Sequence, residues 1–265
     1  MKPPVIVLGM HRSGTSLFSR WLSFSGLHLG DRLYGASSFN PYGYYEDCDF
    51  IELHKSLLKS KGGCESGHEQ PLGSLALRDS DIEQVNILIK RKESDFLWGW
   101  KEPRTCLLLP LYRRQCPAAR YIVVVREYES IIASLVKRER AKQSLFWGLF
   151  CRLGIEDLLV KYYQWRFNNY YAGIVDHYFS CLLSHCDKVR ENTIIINLDD
   201  LLVSPLNVKR RLADFLPGLN LVDFEEVYDG SVMSKQGKIN FLRPNVRTGL
   251  DEKYRALIKL SVSHG

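Results

Sequence analysis

Residues 5–22 read VIVLGMHRSGTSLFSRWL, and the order of residue types in this stretch decides the fold. Val5–Leu8 is an unbroken apolar run that continues into Gly9, the pattern of a strand buried on both faces. Gly9 and Gly14 bracket four residues. From Thr15 onward, Leu17, Phe18, Trp21 and Leu22 recur with helical spacing, and Gly26 is a natural C-terminal stop. A strand that passes through a glycine-rich turn into a helix is the setting of a phosphate-binding loop. There, main-chain N–H groups at the helix start gather anion oxygens. The familiar pattern of this kind ends Gly-Lys-[Ser/Thr], with the lysine on the terminal phosphates of a nucleoside triphosphate. Here Thr15 fills the lysine position, and the cation of the loop is Arg12. A magnesium-binding acid at the end of a second strand has only a faint counterpart, Asp199 and Asp200 in IIINLDD.

Working outward, the chain alternates strand-like and helix-like segments. Further strands are predicted at 96–100 (FLWGW), 120–125 (RYIVVV) and 193–198 (TIIINL). Helices are predicted at 15–25, 46–60, 79–93, near 104–115, at 127–140, within 144–186 and near 204–216. Loops rich in Gly, Ser, Asn and Pro cover 30–45 and 62–74, and residues 230–249 show little periodicity. The alternation predicts an α/β fold: a mainly parallel sheet flanked by helices, a three-layer sandwich of the phosphate-loop nucleotide-binding kind. With 265 residues and no shift in composition, residues 1–265 are expected to form a single domain.

Apolar residues make up 45% and charged residues 25%, the balance of a folded globular chain. The net charge of +6 suits an anionic ligand, but there is no Lys/Arg run of the kind that marks a nucleic-acid arm. The seven cysteines lack metal-ligand spacing and read as small buried thiols, so no metal is expected. MKPP opens the chain without an apolar signal core, no run is long enough to span a bilayer, and no Asn sits in a glycosylation sequon. These features predict a cytoplasmic protein.

In an open parallel sheet, ligands bind beyond the carboxyl ends of the strands. Three predicted strands release a cation at that edge: Arg12 after the first, Lys101 after the next and Arg126 after RYIVVV. Such a convergence predicts an anion site in which Gly9, His11, Arg12, Ser13, Gly14, Thr15 and Ser16 form the cradle.

GMHRSGTSLFSRWL resembles the 5′-phosphosulfate loop of sulfotransferases that use 3′-phosphoadenosine 5′-phosphosulfate (PAPS), with Arg12, Ser13, Gly14 and Thr15 in the motif positions. VVVREYESIIAS resembles that family's 3′-phosphate signature, an arginine at a strand end with a serine eight residues on, here Arg126 and Ser134. NPYGYYEDCDFIELHKSLL and WGWKEPRTCLLLP are similar to segments of its bacterial and tyrosylprotein types. The likeness covers residues 5–140 motif by motif and thins to a pattern of elements near 217. The C-terminal phosphate loop of the family has only loose counterparts in SKQGK and FLRPNVRTG, which offer Lys238, Arg243 and Arg247.

The resemblance implies sulfonate transfer from PAPS to a hydroxyl, on a carbohydrate or a small metabolite, with 3′,5′-adenosine diphosphate as product. Such an in-line displacement needs positioning and charge neutralisation. Arg12 would span the leaving phosphate and sulfuryl oxygens, and Lys101 would counter the developing charge. Arg126 and Ser134 would hold the 3′-phosphate, with Ser130 a rival to Ser134. The resemblance points to Glu46 as general base; Asp31 and His54 are the alternatives, and His11 is placed to touch phosphate only. Trp98 and Trp100 either stack on adenine or belong to the core, and the aromatic stretch 144–186 either walls an acceptor cleft or packs as ordinary helix. Two other classes stay open: a kinase or NTPase with an unusual loop, and a non-catalytic nucleotide-binding protein.

Overall fold

Four short apolar strands pair side by side in a computed structural model that describes residues 1–38, 40–68, 78–142, 156–228, 230 and 239–262. They are β1 (Val5–Leu8), β2 (Gly99–Lys101), β3 (Arg120–Val125) and β4 (Thr193–Asn197). The sheet runs β2-β1-β3-β4 and every pairing is parallel, with Val5 opposite Gly99 on one side and Arg120 on the other, and Tyr121 opposite Thr193. Parallel neighbours need crossover connections, and these carry the helices. α1 (Thr15–Phe24), α2 (Cys48–Ser60) and α3 (Asp79–Lys92) lie between β1 and β2; α4 (Leu109–Gln115) precedes β3. α5 (Tyr128–Lys142) and α6 (Glu156–Lys188) lie between β3 and β4, and α7 (Leu198–Val203), α8 (Pro205–Phe215) and α9 (Pro244–Val262) follow.

Successive strand residues point to opposite faces, so runs apolar at every position feed two cores. Ile6, Leu8, Val123 and Ile195 join one core with Phe50, Val85, Leu109, Ile131, Tyr178 and Leu250 from the helices of that face. Val5, Val7, Ile122, Val124, Ile194 and Ile196 join the other with Phe18, Trp21, Leu201 and Leu212. The result is the predicted three-layer α/β arrangement. β1 connects outward to β2 on one side, and the chain then crosses to β3 on the other, which opens a crevice above the carboxyl ends of β1 and β3.

Several elements differ from their predicted bounds for local reasons. The strand predicted at 96–100 is Gly99–Lys101, so Lys101 ends the strand from within; Phe96 is turned to solvent and Trp98 makes only an isolated bridge to His28. α2 begins two residues later than predicted because the Asp47 carboxylate caps it, accepting from the Asp49 amide at 2.8 Å. The segment 104–115 is split into a 3-10 turn (Pro103–Leu108) and α4, where Pro110 sits in the first turn and cannot continue a preceding helix. Pro205 likewise separates α7 from α8. The greatest departure is α9, whose first turn falls in the stretch read as aperiodic; Leu250 and Leu257 bury against α6 and β4. Of the helical prediction over 144–186, residues 144–155 lie outside the described residues. Among the described residues, no helix is long and apolar enough to cross a membrane.

Gly14 shows how tightly the first turn is built. It caps α1 with φ +89, and a Cβ there would sit 2.5 Å from Leu198 Cδ2, the first residue of α7. Gly14→Ala is therefore expected to combine left-handed strain with a core clash and to destabilise the fold by about 1–3 kcal/mol, read as a lowered denaturant midpoint.

Candidate active site

The loop after β1 is pinned from below. The Gly9 amide donates to Cys106 Sγ at 3.3 Å, and a Cβ on Gly9 would meet Thr15, Val124 and Ser13 atoms at 2.6–2.8 Å. The Ser13 amide closes a turn onto the Met10 carbonyl at 3.1 Å. Arg12 adopts a left-handed φ of 71°, unusual for a side chain with a Cβ, which sends its backbone through a sharp bend. Among the described residues no side chain caps the start of α1, so its first amides and the helix dipole can meet an anion. Two buried polar atoms of the loop, His11 Nε2 and Ser13 Oγ, have no hydrogen-bond partner among the described residues.

Above the loop lies an open cleft with about 700 Å³ of empty space. Among the described residues, four cations line it: Arg12 from the loop, Lys101 from β2, Arg126 after β3 and Arg138 from α5. His11, Thr15 and Ser16 share the wall, and Glu46 is its carboxylate among the described residues. The three strand-end cations foreseen from the sequence thus face one hollow, because their strands run parallel and end at the same edge.

Lys101 is 1% exposed and donates to Glu46 Oε1 at 2.6 Å and to Ser16 Oγ at 3.2 Å. Glu46 reaches it from the loop before α2, where Tyr45 takes a left-handed φ of 55° and turns the chain inward. The carboxylates that the macrodipole favours at this helix start are Asp47 at the cap and Asp49 in the first turn, not Glu46. Burial pushes the Glu46 carboxyl above its ordinary value; Lys101 opposes this and Glu102 adds to it. A buried ammonium and a buried carboxylate in contact offset each other's loss of water, so removing either leaves the other without its counter-charge.

The remaining cations cluster. Arg12 Nε donates to Ser134 Oγ on α5 at 2.9 Å, and Arg126 donates to the Arg12 carbonyl at 3.3 Å. Burial lowers the pKa of the Arg12 guanidinium, Tyr44 partly offsets this, and Arg138 and Arg126 lower it further. Burial also lowers that of Arg126, against Asp199 and Glu127. An anion placed among these groups relieves both the desolvation and the mutual repulsion.

Other candidates lie elsewhere. His54 is fully buried on α2 against Glu102 and Tyr112. Asp31 pairs with His28 and Lys92 beside a different cavity. Among the described residues that line the cleft, neither His54 nor Asp31 appears, whereas Glu46 does. Ser130 is buried near the start of α5, where its amide donates to Glu127, while Ser134 touches Arg12. Trp98 and Trp100 are core: Trp100 stacks on Phe50 at 4.2 Å, and Trp98 donates to the Lys2 carbonyl. Tyr171, Tyr178 and Phe179 of α6 are core as well, and among the described residues none of α6 lines the cleft. Arg247 pairs with Glu129 and Arg243 lies over the Trp165 ring at 5.3 Å; neither lines the cleft. Lys238, Phe146, Trp147 and Phe150 lie outside the described residues.

Sequence reasoning passed over Arg138, Asn40 and Tyr44, all in the cleft wall. A signal for Arg138 existed, since it follows Ser134 by one helical turn and so shares its face.

No protein-family model matches the chain, and no curated protein matches it. Among solved structures it is similar to sulfotransferase STF9 from Mycobacterium avium, at 15% identity and a TM-score of 0.54, over 99% of this chain and 76% of that one. It is also similar to a sulfotransferase domain from the curacin biosynthetic pathway, at 16% identity and a TM-score of 0.51, over 88% and 80% of the two chains. The fold is that of the sulfotransferases. In this sulfotransferase-fold chain, the cleft stands at the switch in strand order, between the loop after β1 and the Arg126 end of β3.

Proposed function

We propose that this chain transfers a sulfonate group from PAPS to a hydroxyl acceptor, on a carbohydrate or a small metabolite. One observation carries the reading: an arginine inside an amide cradle opens onto the same hollow as a buried Lys101–Glu46 pair. The residues fit the donor. The unpartnered His11 Nε2 and Ser13 Oγ, the uncapped start of α1 and the crowded guanidinium groups all favour a polyanion in that place.

When bound, PAPS supplies an electrophilic sulfur and a phosphate leaving group. The amides and hydroxyls of Ser13, Thr15 and Ser16 bind the 5′ anion, and the planar fork of Arg12 spans two oxygens at once. Arg126 and Ser134 hold the 3′-phosphate, and Arg138 stands one turn beyond Ser134 on the same face of α5. Lys101, released from Glu46, neutralises charge where it builds. Glu46 then takes the proton of the acceptor hydroxyl, and burial, by raising its proton affinity above that of an ordinary glutamate, makes it a better base for that task. The chemistry asks for no magnesium, because side-chain cations and main-chain amides supply the positive charge.

Incubation with PAPS labelled at sulfur, against a panel of hydroxyl compounds, tests the reading. Label is expected to move to an acceptor as 3′,5′-adenosine diphosphate forms. Transfer of the terminal phosphate of ATP instead, with no movement of sulfur, would assign the chain to the kinases. Nucleotide binding without transfer to any acceptor would leave a binding protein.

A further inference from the structure

Beside the Lys101–Glu46 pair stands a second pair, wholly buried, that the mechanism above does not use. Glu102 and His54 are each 0% exposed. Glu46 lies just before α2 and His54 within it, while Lys101 ends β2 and Glu102 follows immediately. The same two elements are thus fastened twice, through Lys101 and Glu46 at the cleft and through Glu102 and His54 behind it. Glu102 Oε2 meets His54 Nδ1, and Glu102 Oε1 accepts from Arg104. His54 Nε2 meets the Tyr112 hydroxyl at 2.5 Å, and Arg104 Nε donates to the Glu65 carbonyl at 2.8 Å. Burial holds the proton on Tyr112, and the two ring nitrogens of His54 are engaged by Glu102 on one side and the Tyr112 hydroxyl on the other. Both carboxylate oxygens and both ring nitrogens are satisfied. In proteins generally, well-packed apolar side chains often replace a buried ion pair at no cost in stability, so the pair is weak evidence of a stabilising role.

We propose that Glu102 is a positioning residue for the Glu46–Lys101 pair: held by His54 and Arg104, it fixes the end of β2 against α2 and sets the field in which Glu46 exchanges its proton. This rests on the reading of Glu46 as general base. The charges acting on Glu46 are Lys101 from β2 and Glu102 and Arg104 beyond it, with Arg12, Arg126 and Arg138 sharing the cleft. Burial would raise the pKa of Glu102, but its contacts with His54 and Arg104 outweigh that and hold it below the ordinary range. Glu102 therefore stays anionic while Glu46 titrates. Its negative charge raises the proton affinity of Glu46; removing it lowers that affinity, and an uncompensated Arg104 acts in the same direction.

Glu102→Gln keeps the shape and removes the charge. The Glu46 carboxyl is followed by infrared difference titration, with Glu46→Gln as the background to subtract. Its midpoint is expected to move to lower pH in Glu102→Gln, a loss of proton affinity of about three- to tenfold. An unmoved midpoint would overturn the proposal, whatever happens to turnover. If Glu102→Gln does not fold, His54→Gln gives a second reading through 3′,5′-adenosine diphosphate release from PAPS. Its turnover is expected to fall about tenfold with nucleotide affinity held within twofold, the mark of lost positioning rather than lost binding. Unchanged turnover, or an equal loss of affinity, would overturn the proposal. Failure of the underlying reading has a different signature, full turnover in Glu46→Gln itself.

Discussion

Lys101→Met is expected to lower turnover by about 10²–10³-fold, the loss that follows removal of a group stabilising developing charge. Methionine fills the volume of the stem but leaves Glu46 buried without its partner at 2.6 Å. Two further effects separate this from a simple packing defect. Lys101 now opposes the burial that raises the Glu46 carboxyl, so its removal moves the acid limb of the pH–rate profile upward. Stability responds too. The folded state already holds the Glu46 proton more tightly than the unfolded chain does, so Glu46 favours folding most at low pH and loses that contribution as pH rises from the ordinary glutamate value through the raised one. In Lys101→Met the interval widens, and the variant is expected to be closest to wild type in acid and furthest from it near neutrality. Thermal melts across that range check the sign.

Arg126→Ala is expected to weaken 3′,5′-adenosine diphosphate about 50-fold, in line with a charge-assisted contact to phosphate of about 1.5–3 kcal/mol. Binding of 5′-adenosine diphosphate, which lacks the 3′-phosphate, is expected to change less than threefold. Calorimetry with the two nucleotides makes the comparison. An equal loss for both would place Arg126 on the 5′ side or make it a general support of the loop, since it also donates to the Arg12 carbonyl.

The strand-end cations were legible because their signal is local: an apolar run and then the first charged residue. Parallel pairing converts that local pattern into a shared edge, so Arg12, Lys101 and Arg126 converge without any information about distant contacts. Glu46 came from resemblance, and its contact with Lys101 came only from the fold, because fifty-odd residues and two helices separate them. His54 shows the opposite case. It stood as an alternative base, and nothing nearby in sequence announces that Glu102 and Tyr112 enclose it. α9 was missed for a third reason. The irregular residues before Pro244 mask the turns that follow, and the apolar spacing of Val246, Leu250, Tyr254 and Leu257 becomes evident only past residue 249.

A thermal-shift comparison of 3′,5′-adenosine diphosphate with 5′-adenosine diphosphate, each with and without magnesium, tests the anion cleft most directly. The account predicts that the 3′-phosphorylated nucleotide raises the melting temperature by about 5 °C near saturation. Magnesium should make no difference, and 5′-adenosine diphosphate should do markedly less. Stabilisation by 5′-adenosine diphosphate that depends on magnesium, with no response to the 3′-phosphorylated nucleotide, would contradict it.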